Sequence, residues 1–158
     1  MKITTLWVGK GKVAWADAAC TEYTRRLPRH LSYTDQRLNP IPYKGNELSV
    51  KDSEAKRILD KIGDGDRLVA IDERGADLDS HQFAALIDSA TKLGTRRLVF
   101  AIGGPYGHGK AVRKEAWKTV RLSAMVLNHS IARIALSEQI YRASTLSLIH
   151  ISEPTRPY

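Results

Sequence analysis

Cysteine is almost absent from this chain. With Cys20 alone, no disulfide can close within it and no zinc site built on several thiolates is available. Long apolar runs are missing too, and none approaches the roughly 18–20 residues that cross a bilayer. The opening run, Ile3 to Val8, is too short for a secretory leader and leads straight into Lys10 and Lys12, so it reads as a buried strand. No segment repeats at a solenoid period and no tract has low complexity. His30, His81 and His108 stand apart, without metal-ligand spacing. A cytoplasmic protein with no metal and no membrane attachment is the expectation.

What is present fits one α/β domain. The 158 residues are 42% hydrophobic and 27% charged, enough to bury a core. The net charge of +8 is unevenly spread. Residues 1–60 carry 11 basic and 7 acidic groups, residues 61–104 carry 6 and 7, and residues 105–158 carry 8 and 3. Positive charge at both ends suits a polyanion partner, because each phosphate contact releases counterions. A solvated surface tuned for solubility has the same balance.

Ile3 to Val8 predicts a strand stopped by Gly9 and Gly11, and Ala14 to Leu27 a helix closed by Pro28. Tyr33 to Leu38 reads as a second strand. Pro40 and Pro42, with Gly45-Asn46 behind them, mark a loop, and Ser49 to Ile62 has helical spacing. Arg67 to Asp72 predicts a strand that Gly75 turns. Asp79 with Gln82 three residues on forms a capping box for the next helix. Arg97 to Ile102 is a buried strand ending in Gly103-Gly104-Pro105-Tyr106-Gly107-His108-Gly109. A short helix to Trp117, an apolar stretch from Val120 to Leu127, and a helix over Ser130 to Ala143 complete the pass. Alternating strands and helices argue a mainly parallel sheet flanked by helices, with ligands expected at the loops where strands end.

The glycine-rich loop admits two readings. Gly104 to Lys110 has phosphate-loop spacing, but Ala111 stands where a Ser or Thr must hold magnesium. The loop also arrives late in the chain, which disfavours a nucleotide hydrolase. The other reading takes the glycines as bare backbone against which a flat, neutral ligand part can lie.

Here the residues resemble a known family. Ile102-Gly-Gly-Pro-Tyr-Gly107, Leu122-Ser123-Ala124-Met125-Val126-Leu127 with His129, Arg133, and Glu138-Gln-Ile-Tyr-Arg-Ala143 follow Val8-Gly-Lys10, Glu22-Tyr23 and Ile71-Asp72 with Gly75. In this order the set resembles the ribosomal RNA large subunit methyltransferase H family of the SPOUT class, over residues 1 to about 143. The resemblance implies a homodimer, a parallel sheet with a C-terminal trefoil knot, and S-adenosyl-L-methionine as cofactor. It implies methylation of N3 of a pseudouridine in large-subunit ribosomal RNA, in assembled ribosomes. By position, Ile71, Gly103, Gly104 and Leu122, Ser123, Ala124, Met125, Val126 and Leu127 are expected to line the cofactor pocket. Arg142 and His129 are the candidates for substrate contact, against readings as a helix-terminal arginine and a structural histidine. The general base stays unassigned. A non-catalytic RNA- or ribosome-binding module remains the alternative, although the aromatics show no stacking cluster.

The resemblance stops near residue 144. Family members end in Pro-Tyr-His; here Tyr141-Arg142-Ala143 runs into Ser144 to Tyr158, where His150 and Tyr158 supply two of those residue types in another order. From Ser147 the string reads as translated adapter sequence, so residues 144–158 are expected to be an atypical tail. Cofactor binding is expected to survive it and methyl transfer to be weak.

Overall fold

The computed structural model of the protein describes residues 1–152, with side chains to residue 146. The β-branched and aliphatic runs become strands β1 (Lys2–Val8), β2 (Ser32–Leu38), β3 (Asp66–Asp77), β4 (Arg97–Ile102) and β5 (Lys118–Arg121). Helices α1 (Ala14–Thr24), α2 (Glu47–Asp60), α3 (Ser80–Lys92) and α4 (Lys110–Glu115) lie between them, and α5 (His129–Ser152) comes last. The sheet order is β2-β1-β4-β3-β5, with every neighbouring pair parallel.

A parallel sheet needs cover on both faces, and its two cores show that cover. On one face Ile3, Val69, Leu98 and Phe100 pack against Phe83 and Leu86 of α3 and Leu136 and Ile140 of α5. On the other, Leu6, Leu68, Val99 and Ala101 pack against Ala55 and Ile58 of α2 and Val112 of α4. Burial on both faces is why β1 and β4 read as continuous apolar runs.

The capping box forms as expected. Asp79 accepts the Gln82 amide at 2.7 Å, and Gln82 accepts the Asp79 amide at 2.8 Å. Helix α2 starts earlier than Ser49 because Asn46 accepts the Ser49 amide at 3.2 Å and caps the chain there.

Three expectations need correction. Gly75 does not turn the chain: β3 continues to Asp77, and Val120 of β5 is in register with Ile71 and again with Ala76 across an irregularity. A Cβ on Gly75 would stand 2.5 Å from the Val120 backbone nitrogen, so this glycine serves a close backbone crossing. The apolar stretch from Val120 to Leu127 is not one buried element, since β5 ends at Arg121. Leu122 to Leu127 form an open loop in which Met125 and Val126 are 77% and 84% exposed. Finally, α5 does not stop at Ala143 but runs on to Ser152, with Ser144 and Leu146 buried.

Candidate functional site

Four parallel strands, β1, β4, β3 and β5, deliver their C-terminal ends to one place, and the loops that leave them enclose a cavity. Its volume is about 470 Å³, within the range of small-molecule sites. Val8 to Lys10 follow β1, Ile102 to Pro105 follow β4, Ile71 to Glu73 lie on β3, and Arg121 to Ser123 leave β5. Met125 to Leu127, His129 and Ala132 close it from the other side. All the expected pocket residues except Ala124 line this cavity; Ala124 lies in the same loop without facing it.

Behind the lining residues Gly9, His129 and Ala132 lies a buried cation. Arg133 is 2% exposed, and its guanidinium carbon sits 3.6 Å from the centre of the Trp7 ring. Its Nη2 donates to Asp35 at 3.2 Å, and its Nη1 makes an ion pair with Asp17 at 3.0 Å. The same Asp35 accepts the Trp7 indole N–H at 2.6 Å. Gly9 is required beside it, because a Cβ there would stand 2.5 Å from the Trp7 ring. The His129 ring lies 5.8 Å from Trp7. Burial, followed by the Arg133 charge, pushes the His129 imidazole below its ordinary value. Its Nε2 is buried with no hydrogen-bond partner among the described residues.

The glycine turn works differently from the bare-backbone reading. Cβ positions on Gly103 and Gly104 would be met by the protein itself: Gly107 backbone carbon at 2.9 Å, and a Glu54 carboxylate oxygen at 2.7 Å. The turn is closed by the Gly107 amide donating to the Gly104 carbonyl at 3.0 Å, with Gly107 at φ +81°. The glycines therefore let the loop fold on itself and onto α2, and its other side faces the cavity. Glu54, 3% exposed, accepts the Ile41 amide at 3.3 Å and holds the Gly104 amide as well. Burial raises its carboxyl above the ordinary carboxylate value. An acidic group on a loop amide opposes a phosphate cradle, so the phosphate-loop reading fails on electrostatics as well as on Ala111.

Arg142 lies elsewhere. It donates to Glu138 at 2.7 Å across one helical turn and does not line the cavity. Thirteen residues along α5 separate it from His129, about 20 Å at the helical rise. His108 is buried against the Ala101 carbonyl, 2.8 Å from its Nε2, and Cys20 is a buried free thiol. Neither faces the cavity. Among the described residues, no cluster of His, Cys, Asp and Glu could hold a metal ion, and no helix is long and apolar enough to cross a membrane. The side chain of His150 and all of Tyr158 lie outside the described residues.

A family model for predicted SPOUT methyltransferases matches residues 1–150. The ribosomal RNA large subunit methyltransferase H of Trichlorobacter lovleyi is 40% identical over 146 residues, covering 92% of this chain and 95% of that one. The chain belongs to this methyltransferase family. The Porphyromonas gingivalis member is 38% identical over 149 residues, covering 92% of this chain and 94% of its own. A protein of Arabidopsis thaliana named as an RNA methyltransferase is 41% identical over 148 residues, 92% of this chain and 76% of that one. The chain also overlays on the SpoU methyltransferase AviRb of Streptomyces viridochromogenes, solved with AdoMet, at a TM-score of 0.46 and 18% identity. That match covers 92% of this chain and 57% of that one.

Some of the cavity walls left no separate trace in the sequence. Pro40 looked like an ordinary loop proline. Arg121, held by Asp77 at 2.6 Å, and Glu73 have no spacing that sets them apart from surface charges. Arg133, part of the family pattern, and Glu54 lie behind the cavity lining, and their burial is not legible because their partners come from remote segments.

Proposed function

We propose that this family member uses S-adenosyl-L-methionine to methylate N3 of a pseudouridine in large-subunit ribosomal RNA, as a cytoplasmic homodimer acting on assembled ribosomes. The observation that carries the reading is the cavity itself: Ile71, Gly103, Gly104 and the Leu122 to Leu127 loop surround one space. The cofactor supplies the methyl group. The apolar walls Ile71, Ile102 and Leu127 suit a flat base, and the inner side of the Gly103-Gly104 turn offers backbone to it. Loss of the N3 proton is helped by local positive charge or an acceptor. His129, which lines the cavity together with Lys10, Asp72, Glu73 and Arg121, is the candidate for contact with the target base.

Further features support the finer parts of this reading. A C-terminal trefoil knot belongs to this reading through the family. Exposed Trp15 and Ile131, near the starts of adjacent α1 and α5, offer apolar surface for a second copy. Arg142, remote from its own cavity, can contact RNA beside the partner's cavity in such a dimer. Residues 1–143 form the catalytic domain in this reading, followed by the atypical residues 144–158.

Calorimetric titration with S-adenosyl-L-methionine tests the proposal, with ATP and magnesium as the control. One saturable site per protomer is expected, and no binding of ATP. Binding of ATP alone overturns the reading. Methyl incorporation into large-subunit RNA follows, and grafting a Pro-Tyr-His ending is expected to raise it with cofactor affinity unchanged. Cofactor binding with no transfer even after grafting favours the non-catalytic RNA-binding alternative.

A further inference from the structure

Close in sequence to residues that line the cavity, but not lining it themselves, are two tyrosines that pair. Tyr43, in the loop after β2, and Tyr106, in the glycine turn after β4, are remote in sequence. Their ring centroids nevertheless lie 6.0 Å apart, with planes inclined by 46°. Packing does not account for the pair, because Tyr43 keeps 57% of its surface exposed and so gains little from burial. Both rings adjoin the cavity wall through the chain. Tyr106 directly follows Pro105, and Tyr43 comes three residues after Pro40, two residues that line it.

Lysines flank the pair on the solvent side, while the acidic cavity residues Asp72 and Glu73 lie on β3. Lys44, next to Tyr43, and Lys110, at the start of α4, are exposed, and Lys10 lines the cavity. The carboxylate that sits under this turn, Glu54, is buried and engaged by the Ile41 amide, so it presents no acceptor to a ligand outside. Exposed aromatic faces with lysines beside them are what unpaired nucleotides bind: bases stack and phosphates meet ammonium groups. The inclined geometry lets one ring buttress the other, so that the exposed face is already set before a base arrives.

We infer that Tyr43 and Tyr106 form a stacking platform for an unpaired nucleobase of the RNA, next to the nucleotide that enters the cavity. The inference rests on the RNA-methyltransferase reading above and adds a subsite to it. A stacked face accepts any base, so the platform sets how the loop is splayed and held rather than which base flanks the target.

The test uses the full chain and a short RNA stem-loop with a pseudouridine among unpaired loop nucleotides, followed by fluorescence anisotropy. Tyr43→Ala, Tyr106→Ala and the double substitution are compared with Tyr43→Phe, and S-adenosyl-L-methionine affinity is measured on each by calorimetry. RNA affinity is expected to fall on the order of ten- to a hundredfold in the double variant, to stay near parental with Phe, and cofactor affinity to be unchanged. An abasic site at the stacked position should weaken parental binding similarly, and weaken the double variant no further. Parental RNA affinity in the double variant, or equal loss with Phe, overturns the platform alone. A parental chain that binds the cofactor but neither this stem-loop nor intact ribosomes overturns the RNA reading, and the platform with it.

Discussion

Gly75→Ala is the sharpest available perturbation of the wall between β3 and β5. The added methyl would stand 2.5 Å from the Val120 nitrogen, 2.6 Å from the Val120 carbonyl carbon and 2.7 Å from that of Thr119. Ordinary contacts begin at 3.4 Å, and all three obstacles are backbone, which cannot rotate away. Relief requires displacing β5, whose last residue, Arg121, opens the cavity wall. Overpacking costs about 1–3 kcal/mol, and three simultaneous backbone overlaps place this substitution near 3 kcal/mol. At about 2–4 °C per kcal/mol for a chain of this length, the midpoint should fall by roughly 6–12 °C. Gly45→Ala is the control, because φ is +85° there and a Cβ meets nothing within 4 Å. Only the backbone penalty remains, about 1 kcal/mol or roughly 2–4 °C. Thermal unfolding followed by circular dichroism reads both, and calorimetry should show weakened cofactor binding in Gly75→Ala. Equal losses in the two variants would refute the crossing argument.

Arg133→Met leaves two carboxylates that are partly solvated, whereas Asp17→Asn with Asp35→Asn leaves a buried guanidinium unpaired. Urea unfolding should therefore show the double substitution costing more, about 3–5 kcal/mol, and the reverse order would contradict the burial argument. Because the folded-state carboxyl of Glu54 is raised by burial, its contribution to stability is full below the ordinary carboxylate range. That contribution declines as pH rises through the folded value. The stability difference between the parent and Glu54→Gln should accordingly shift against the parent between acid and neutral pH; a flat difference would count against the clamp. His108 and His129 are both depressed, first of all by burial. Stability linked to them is present above their ordinary value near 6.5 and is lost as pH falls through the folded values. Nitrogen-15 spectra followed over pH should show both rings taking up their proton at lower pH than an ordinary imidazole, and a midpoint at or above the ordinary value for either would show that burial does not dominate.

The parts of the fold legible in the sequence are those governed by local rules. Ile3 to Val8 and Arg97 to Ile102 announce themselves as strands because both faces are buried, and Asp79 with Gln82 marks a helix start through contacts three residues apart. Gly75 shows the limit of such reading. A glycine after a strand usually turns the chain, yet here it permits a crossing with Val120, 45 residues away. Leu122 to Leu127 look apolar enough for a strand, but only the neighbouring loops decide that they wall a cavity. The same holds for Tyr43 with Tyr106, and for Arg133 with Asp17, Asp35 and Trp7. No spacing rule links segments that meet only after the sheet has formed.

All-parallel pairing has a kinetic consequence. The sheet contains no hairpin, so no two strands can join until a crossover has closed, and such pairings are slow to form. β1 finds one neighbour in residues 32–38 but the other only in residues 97–102. At about 5–20 residues per second of synthesis, an apolar strand waits several seconds with one edge uncovered. The cavity is later still, since its last walls come from residues 121–132. Ligand binding by this chain therefore reports completed assembly, and a nascent chain halted before residue 129 should bind nothing.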